Sequence, residues 1–403
     1  MGALVIAGSA GAERDPPVPG SDPAWYEPFH VRAAAHARQD LAARVSAGAD
    51  AIVAPTWLTH RRALVQVGES RRSREWTEAA VRLARDAAEE GASDRDPAAP
   101  VVVAGVLPRL KGGDDPTPGR RPSVSATRSA DVHQIVGMLA DAASDAILVE
   151  DQADAAGWTE AVTAALASGT RTWAVVEASR ADDAVMLDAV ASCLSMGPLE
   201  LLMGIEASVE PDTAQRTLIE LATAAGAIPG VWLRGALAAG SAEALVRGCL
   251  ETGAWAMGLA DDATPESVAV TRTAVDAVEA DKQSETEARD AAWLDQLASA
   301  THRASGGRAL WLGDRVLTRL PEGFRWTVAP LSDIAHLPAR AFRFAAVDTP
   351  GAELGPIAPL LDDGGVIAAR GPAPGFPAEI EVLDVIEGPT VDGMVIVARV
   401  RRR

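Results

Sequence analysis

At 403 residues the chain is too long for one ordinary hydrophobic core, and 37 Lys+Arg against 56 Asp+Glu leave a formal charge of −19 that repels nucleic-acid phosphates and anionic membrane surfaces. Its two cysteines, Cys193 and Cys249, cannot build a disulfide framework or a thiolate metal site, and both fall in helix-like segments. No apolar run reaches the length of a membrane span, and the run up to Ala7 is too short for a signal peptide, so the composition reads as a soluble, cytoplasmic protein with no nucleic-acid or membrane partner.

In chain order, Leu4 to Gly8 is a short apolar run, and the Gly-, Pro- and Asp-rich stretch from Gly8 to Pro23 ends it, giving strand one and a loop. From His30 to Ala47 apolar and small residues recur at helical spacing, Gly48 stops the helix, and Ala51-Ile-Val-Ala-Pro reads as a buried strand ending at Thr56-Trp57. The phrase recurs: SAGADAIVAP at 46–55, DAASDAILVE at 141–150 and ETGAWAMGLA at 251–260 each pass from a helix end through small residues into an apolar strand. Further strands are expected at Val101–Leu107, Thr172–Glu177, Leu199–Ile205 and Gly230–Leu233, with Ala-rich helical stretches between them. Eight continuously apolar strands alternating with helices imply sheet faces covered on both sides, the sequence form of a closed parallel barrel. The expected fold class is α/β: a (β/α)8 TIM-like barrel over residues 1–280 with a second, smaller α/β domain, a doubly wound open sheet being the competing arrangement.

Lys111 to Arg128 reads as an extended loop after strand three, either a lid or a disordered segment. Val268 to Ala298 is helical and highly charged, so the last barrel helix is expected to run into a helical connector over 281–300. Residues 301–403 then change texture: strands are expected at Arg308–Gly313, Phe324–Ala329, Phe342–Val347 and Gly365–Ala369, a helix-like stretch at Leu354–Leu361, and two strands between Glu379 and Arg399.

Chemistry in α/β folds gathers at the C-terminal ends of the strands. There the sequence offers Glu150 and Asp151, Glu177, Glu206, and Asp261 with Asp262, facing Arg234. Three readings stay open: solvated or capping acids; a hard divalent-cation site, since carboxylate oxygens suit magnesium, calcium or manganese; and a pocket for a cationic or amino-acid-like small molecule. In the last, Trp57 and Trp232 are candidate aromatic faces, although a Trp within a strand is as readily core. Of six histidines no two have ligand spacing, and only His60, shortly after strand two, is a candidate acid/base group, its alternative being an exposed residue on the next helix. Glu206 and Asp261 are the other catalytic candidates; Thr56, Trp57, Glu150, Glu177 and Arg234 are the substrate-binding candidates.

Over the barrel the sequence resembles the homocysteine S-methyltransferase family. Ala47-Gly-Ala-Asp-Ala-Ile-Val-Ala-Pro-Thr56 looks like its AGAD strand, Ile147-Leu-Val-Glu150 like its strand ending in a substrate-facing glutamate, and Gly204-Ile-Glu-Ala207 stands where the family has Gly-Ile-Asn-Cys. Gly258-Leu-Ala-Asp-Asp-Ala-Thr-Pro-Glu266 stands where it has Gly-Gly-Cys-Cys-Gly-Thr-Thr-Pro-Glu. The resemblance implies a methyltransferase whose zinc is held by three thiolates, at positions that match Ala207, Ala260 and Asp261 here. The expectation is therefore no zinc, with a hard divalent cation left open. It implies either a zinc-independent protein that binds a cationic or amino-acid-like ligand and transfers a methyl group to a thiol, or a non-catalytic barrel acting as a partner or regulatory subunit. The C-terminal segment resembles the later half of class I S-adenosylmethionine-dependent methyltransferases, without the glycine-rich turn after strand one and without the acid after strand two, where Val328-Ala329-Pro330 stands. The expectation is a truncated domain without cofactor, used for packing, a protein partner or homo-oligomerisation.

Overall fold

The computed structural model describes residues 3–8, 29–65, 68–93, 100–110, 125–235, 239–260, 263–301, 307–312, 324–337, 339, 342–347, 356–370, 380–386 and 395–400. The chain divides into two compact units, Met1–Glu279 and Ala280–Arg403.

In the first unit, strands and helices alternate: β1 (Leu4–Ala7), α1 (Phe29–Arg32), α2 (Ala34–Ser46), β2 (Ala51–Val53), α3 (Arg61–Val65), α4 (Ser73–Gly91), β3 (Val102–Leu107), α5 (Ser125–Asp141) and β4 (Ala146–Val149). They continue as α6 (Ala155–Ala167), β5 (Arg171–Glu177), α7 (Ala184–Met196), β6 (Leu199–Glu206), α8 (Pro211–Ala225), β7 (Gly230–Arg234), α9 (Ala239–Glu251), β8 (Ala256–Leu259) and the start of α10 (Pro265–Thr301), whose residues from Ala280 belong to the second unit. Each strand pairs in parallel with the next, and β1 also pairs with β8, Leu4 opposite Ala256 through Ala7 opposite Leu259. That last ladder closes the barrel and rules out the open sheet. The helix expected from His30 to Ala47 is broken at Ala33, whose φ of −137° and ψ of 47° leave the helical region. The loop expected to reach Arg128 gives way to α5 at Ser125, and the rest of that segment lies outside the described residues.

The recurring phrase is a helix stop. In each copy the third residue has positive φ: Gly48 at 107°, Ala143 at 57° and Gly253 at 95°. The same two hydrogen bonds follow each time. Gly48 N–H donates to Val45 O and Ala49 N–H to Arg44 O; Ala143 to Ala140 and Ser144 to Leu139; Gly253 to Leu250 and Ala254 to Cys249. This pair of bonds takes up the orphan carbonyls of the helix end and turns the chain into the next strand. Two copies then add an aspartate that stitches strands together, Asp50 Oδ2 accepting Val5 N–H and Asp145 Oδ2 accepting Val103 N–H, each at 2.9 Å.

The barrel interior is filled by Ile6, Val53, Val106, Leu148, Trp173, Val175, Leu202 and Trp232, with alanines among them. The Trp232 indole fits because a glycine faces it: a Cβ on Gly258 would lie 2.2 Å from Trp232 Cε3. At the strand N-termini, Trp173 Nε1 donates to Glu200 at 2.7 Å, Arg171 forks onto the same carboxylate, and Trp255 stacks 6.1 Å from Trp173. That end is closed by groups that satisfy one another.

The second unit holds β9 (Gly307–Leu312), β10 (Phe324–Ala329), β11 (Phe342–Val347), β12 (Leu361–Arg370), β13 (Ile380–Ile386) and β14 (Val395–Val400). They form one sheet in the order β10-β9-β11-β12-β14-β13, parallel through β12 and closed by the antiparallel β13–β14 pair. The helix-like reading of Leu354–Leu361 is corrected over its described part, residues 356–361: a 3-10 turn, Ala358–Leu360, forms there, and β12 begins at Leu361. Pro356 and Pro359 supply no backbone donor for a longer helix.

Ala143 is the one described residue other than glycine at positive φ. Ala143→Gly is expected to raise barrel stability by about 1 kcal/mol, and Gly253→Ala to lower it by a similar amount. Urea midpoints read by tryptophan fluorescence check this; equal midpoints for Ala143→Gly and the unsubstituted chain would remove the left-handed strain.

Candidate functional site

Side chains alternate along a strand, so inward-facing positions can be counted from the interior residues. Leu148, Val175, Leu202 and Trp232 face the interior. Two residues further on, at the C-terminal mouth, stand Glu150, Glu177, Gly204 and Arg234, with Glu206 two beyond Gly204. Glu177 lies opposite Gly204, and Glu206 opposite Arg234, in adjacent ladders. Three neighbouring strands thus present an acid, a glycine and a cation in a row.

The glycine lets the acid and the cation meet. Arg234 Nε donates to Glu177 Oε1 at 2.8 Å and Nη2 donates to the same oxygen. The carboxylate lies over Gly204, where an added Cβ would be 2.7 Å from Oε2. The pair keeps a fifth of its side-chain surface in solvent, 22% for Arg234 and 23% for Glu177. It is therefore anchored from below and reachable from above.

Arg234 is not the only cation at the mouth. Arg180, on the 3-10 turn Ala178–Arg180 after β5, places Nη1 3.0 Å from Asp151 Oδ1 and 2.9 Å from Gln152 O. Burial pushes the Asp151 carboxyl above its usual range, Arg180 pulls it back, and the charge of Glu177 adds to the rise. Buried Gln152 joins this turn to the end of β3, accepting Leu110 N–H and donating to the Pro108 and Glu150 carbonyls. Neither Arg180 nor Gln152 is distinguishable in the sequence from a surface or loop residue, because their partners lie on other strands.

The remaining candidates divide by burial. Thr56 is buried and its hydroxyl accepts Val106 N–H at 2.8 Å, continuing the β2–β3 ladder past the strand end. Trp57 packs on the interior cluster, and Trp232 is wholly buried against Gly258, so its face is taken and it is core. Glu150 is buried at the end of β4. Glu206 is exposed, with Oε2 3.8 Å from where a Gly235 Cβ would stand. Asp261 and Asp262 lie outside the described residues. Ala207 and Ala260, the positions the resemblance aligns with thiolates, are buried and carry only methyl groups. Both cysteines are buried in the helices, Cys193 on α7 and Cys249 on α9, and burial pushes the Cys249 thiol up to about 12. Among the described residues no three His, Cys, Asp or Glu groups are arranged to hold a metal.

His60 is a buried helix cap, not an exposed residue on the next helix. Its Nδ1 accepts Ala63 N–H at 3.3 Å at the start of α3, and burial, with Arg62 nearby, lowers its pKa to about 4. His30, which the sequence did not single out, is buried beside Pro55 and Trp76 and is also lowered to about 4, chiefly by burial. Both folded values lie below the unfolded value of about 6.5, so the stability these imidazoles contribute is complete above that value and is lost as pH falls through about 4. Between pH 6.5 and 5.5 each is expected to remove about 1 kcal/mol. His60→Asn, which keeps the cap without the titration, is expected to flatten that slope. Denaturant unfolding at several pH values measures it, and an unchanged slope would show that His60 is not held neutral.

A profile of the family described as homocysteine S-methyltransferase matches residues 41–278, more than half of the chain. Among solved structures, the metallated form of the homocysteine methyltransferase MmuM from Escherichia coli is similar at a TM-score of 0.55 and 17% identity, covering 68% of this chain and 96% of that one. The oxidised form of the same protein gives a TM-score of 0.55 at 20% identity, with 67% and 95% covered. Identities this low speak for the shared barrel alone. No curated protein matches the chain. The profile match over the closed barrel establishes that this chain belongs to the homocysteine S-methyltransferase family.

Proposed function

We propose that the barrel binds a small amino-acid-like zwitterion at its C-terminal mouth and works without zinc. The observation that carries this is the Glu177–Arg234 pair, held across Gly204 and open on one side. A zwitterion can exchange with such a pair charge for charge: its carboxylate takes the fork of Arg234 and its ammonium the carboxylate of Glu177, leaving no buried charge unmatched. With Asp151 already matched by Arg180, this suits a zwitterion better than a bare cation. Exposed Glu206 and the aromatic edge of Trp57 are further binding candidates, and Asp261 keeps its place as a candidate from sequence alone.

Zinc does not fit the donor set. Methyl groups at Ala207 and Ala260 offer no lone pair. The transfer that remains is from a sulfonium donor to a thiol. The new sulfur–methyl bond forms as the old one breaks, the donor leaves as a neutral thioether, and the thiol proton passes to water. Such a reaction gains from orientation in a shared pocket more than from proton chemistry. The second reading, a non-catalytic barrel acting as a partner subunit, is favoured by the same two alanines. The second unit we assign to packing or association without S-adenosylmethionine, since β9 ends at Leu312 before Gly313-Asp314 and β10 runs into Pro330 instead of an acid.

Calorimetric titration of the full chain with homocysteine, methionine, a sulfonium amino acid and glycine betaine separates these readings. Amino acids are expected to bind, Arg234→Gln to weaken them at least about tenfold, and a chelator to change nothing. Binding that survives Arg234→Gln would remove the site, binding lost to the chelator would remove zinc independence, and binding without methyl transfer would favour the partner-subunit reading.

A further inference from the structure

Beyond the Glu177–Arg234 pair stands an acid that no described residue matches. Glu206 ends β6 opposite Arg234 in the ladder, so the two backbones lie about 4.8 Å apart. It is two residues past Gly204 on the same face of the strand, one step further out than the glycine over which the Glu177 carboxylate lies. Its Oε2 reaches toward the end of β7, 3.8 Å from where a Gly235 Cβ would stand, and the φ of 80° at Gly235 reserves that place for glycine. Glu206 is exposed, and among the described residues its carboxylate accepts no hydrogen bond and meets no cation, whereas Glu177 has Arg234 and Asp151 has Arg180.

One step deeper the imbalance has the opposite sign. Trp232 lies opposite Gly204 in the same ladder and is wholly buried, yet its Nε1 has no hydrogen-bond partner among the described residues. Its Cε3 edge rests on Gly258, which turns the Nε1 edge away from β8. An unmet donor thus lies on the inner side of the ion pair and an unmet acceptor on the outer side.

This polarity orients a zwitterion that exchanges with the pair. Its α-carboxylate, forked by Arg234, belongs with the donors at depth, and its side chain leads outward past Glu206. A carboxylate rewards a cation that donates hydrogen bonds to it. A sulfonium or quaternary ammonium donates none and is recognised by open aromatic faces, but the Trp232 face is taken by Gly258 and Trp57 is only 5% exposed. We infer that Glu206 is the specificity-determining residue of the zwitterion site proposed above, on which this inference rests, and that it favours an amino acid whose side chain ends in a protonated amine, a diamino acid.

Calorimetric titration of the full chain with lysine, ornithine, norleucine, glutamate and the sulfonium amino acid S-methylmethionine tests this. The better of lysine and ornithine is expected to bind about fivefold more tightly than norleucine, the size of an exposed charge pair, and the ratio to shrink in high salt. Glu206→Gln is expected to bring that ratio near one with an unchanged melting curve, and Glu206→Lys to favour glutamate over norleucine instead. Arg234→Gln is expected to weaken every amino acid, since it removes the site itself. Norleucine binding as tightly as the diamino acids, or an advantage that survives Glu206→Gln, would overturn the inference and leave the zwitterion site standing. S-methylmethionine matching lysine would overturn the choice of a hydrogen-bonding cation. Binding of no amino acid at all would remove the site and the inference with it.

Discussion

The seating of Trp232 on Gly258 is the constraint on which the barrel depends. A closed eight-stranded sheet encloses a volume that side chains must fill, and an indole can enter it only where the facing strand has no side chain. Trp232 fills the interior over Gly258, Trp173 lies nearer the strand N-termini, and alanines on the neighbouring strands make room for them. Because this layer is dry and packed, charged groups are confined to its two ends. At the strand N-termini they close on one another through Arg171, Glu200 and the indole of Trp173. At the C-termini they remain within reach of solvent.

The mouth obeys the same steric logic one layer higher. Gly204 stands between Glu177 and Arg234, and its missing side chain sets the geometry of the ion pair as firmly as the charges do. Carboxylates brought together at strand ends would raise one another's pKa values and resist burial. Here each of the two best-defined acids has its own arginine, Glu177 with Arg234 and Asp151 with Arg180. These two pairs balance their own charges, while Glu150 and Glu206 add further acids at the same strand ends of a strongly acidic protein. Ala207 and Ala260, at positions where the family resemblance implies metal ligands, are buried and carry only methyl groups.

The sequence by itself determined the order of the barrel's elements and the end of the barrel at which its acids gather. Continuous apolar strands, the thrice-repeated helix stop and the acids placed just beyond Leu148, Val176 and Ile205 are local patterns, and local patterns survive without knowledge of neighbours. The phrase that holds Ala143 shows the reach of such reading: it matched those of Gly48 and Gly253 although the residue that turns the chain is an alanine. What the sequence did not hold was any relation between strands. Arg180 and Gln152 read as ordinary loop residues until tertiary structure set them against Asp151 and Leu110, and His60 gave no sign that burial would keep it neutral as a cap. Leu354–Leu361 misled in the other direction, since apolar spacing suggested a helix that two prolines and the pull of the neighbouring strand β11 turned into the start of β12. Closure was decided in the same way: Leu4 and Ala256 are far apart in the chain, and only the ladder between them makes eight strands a barrel.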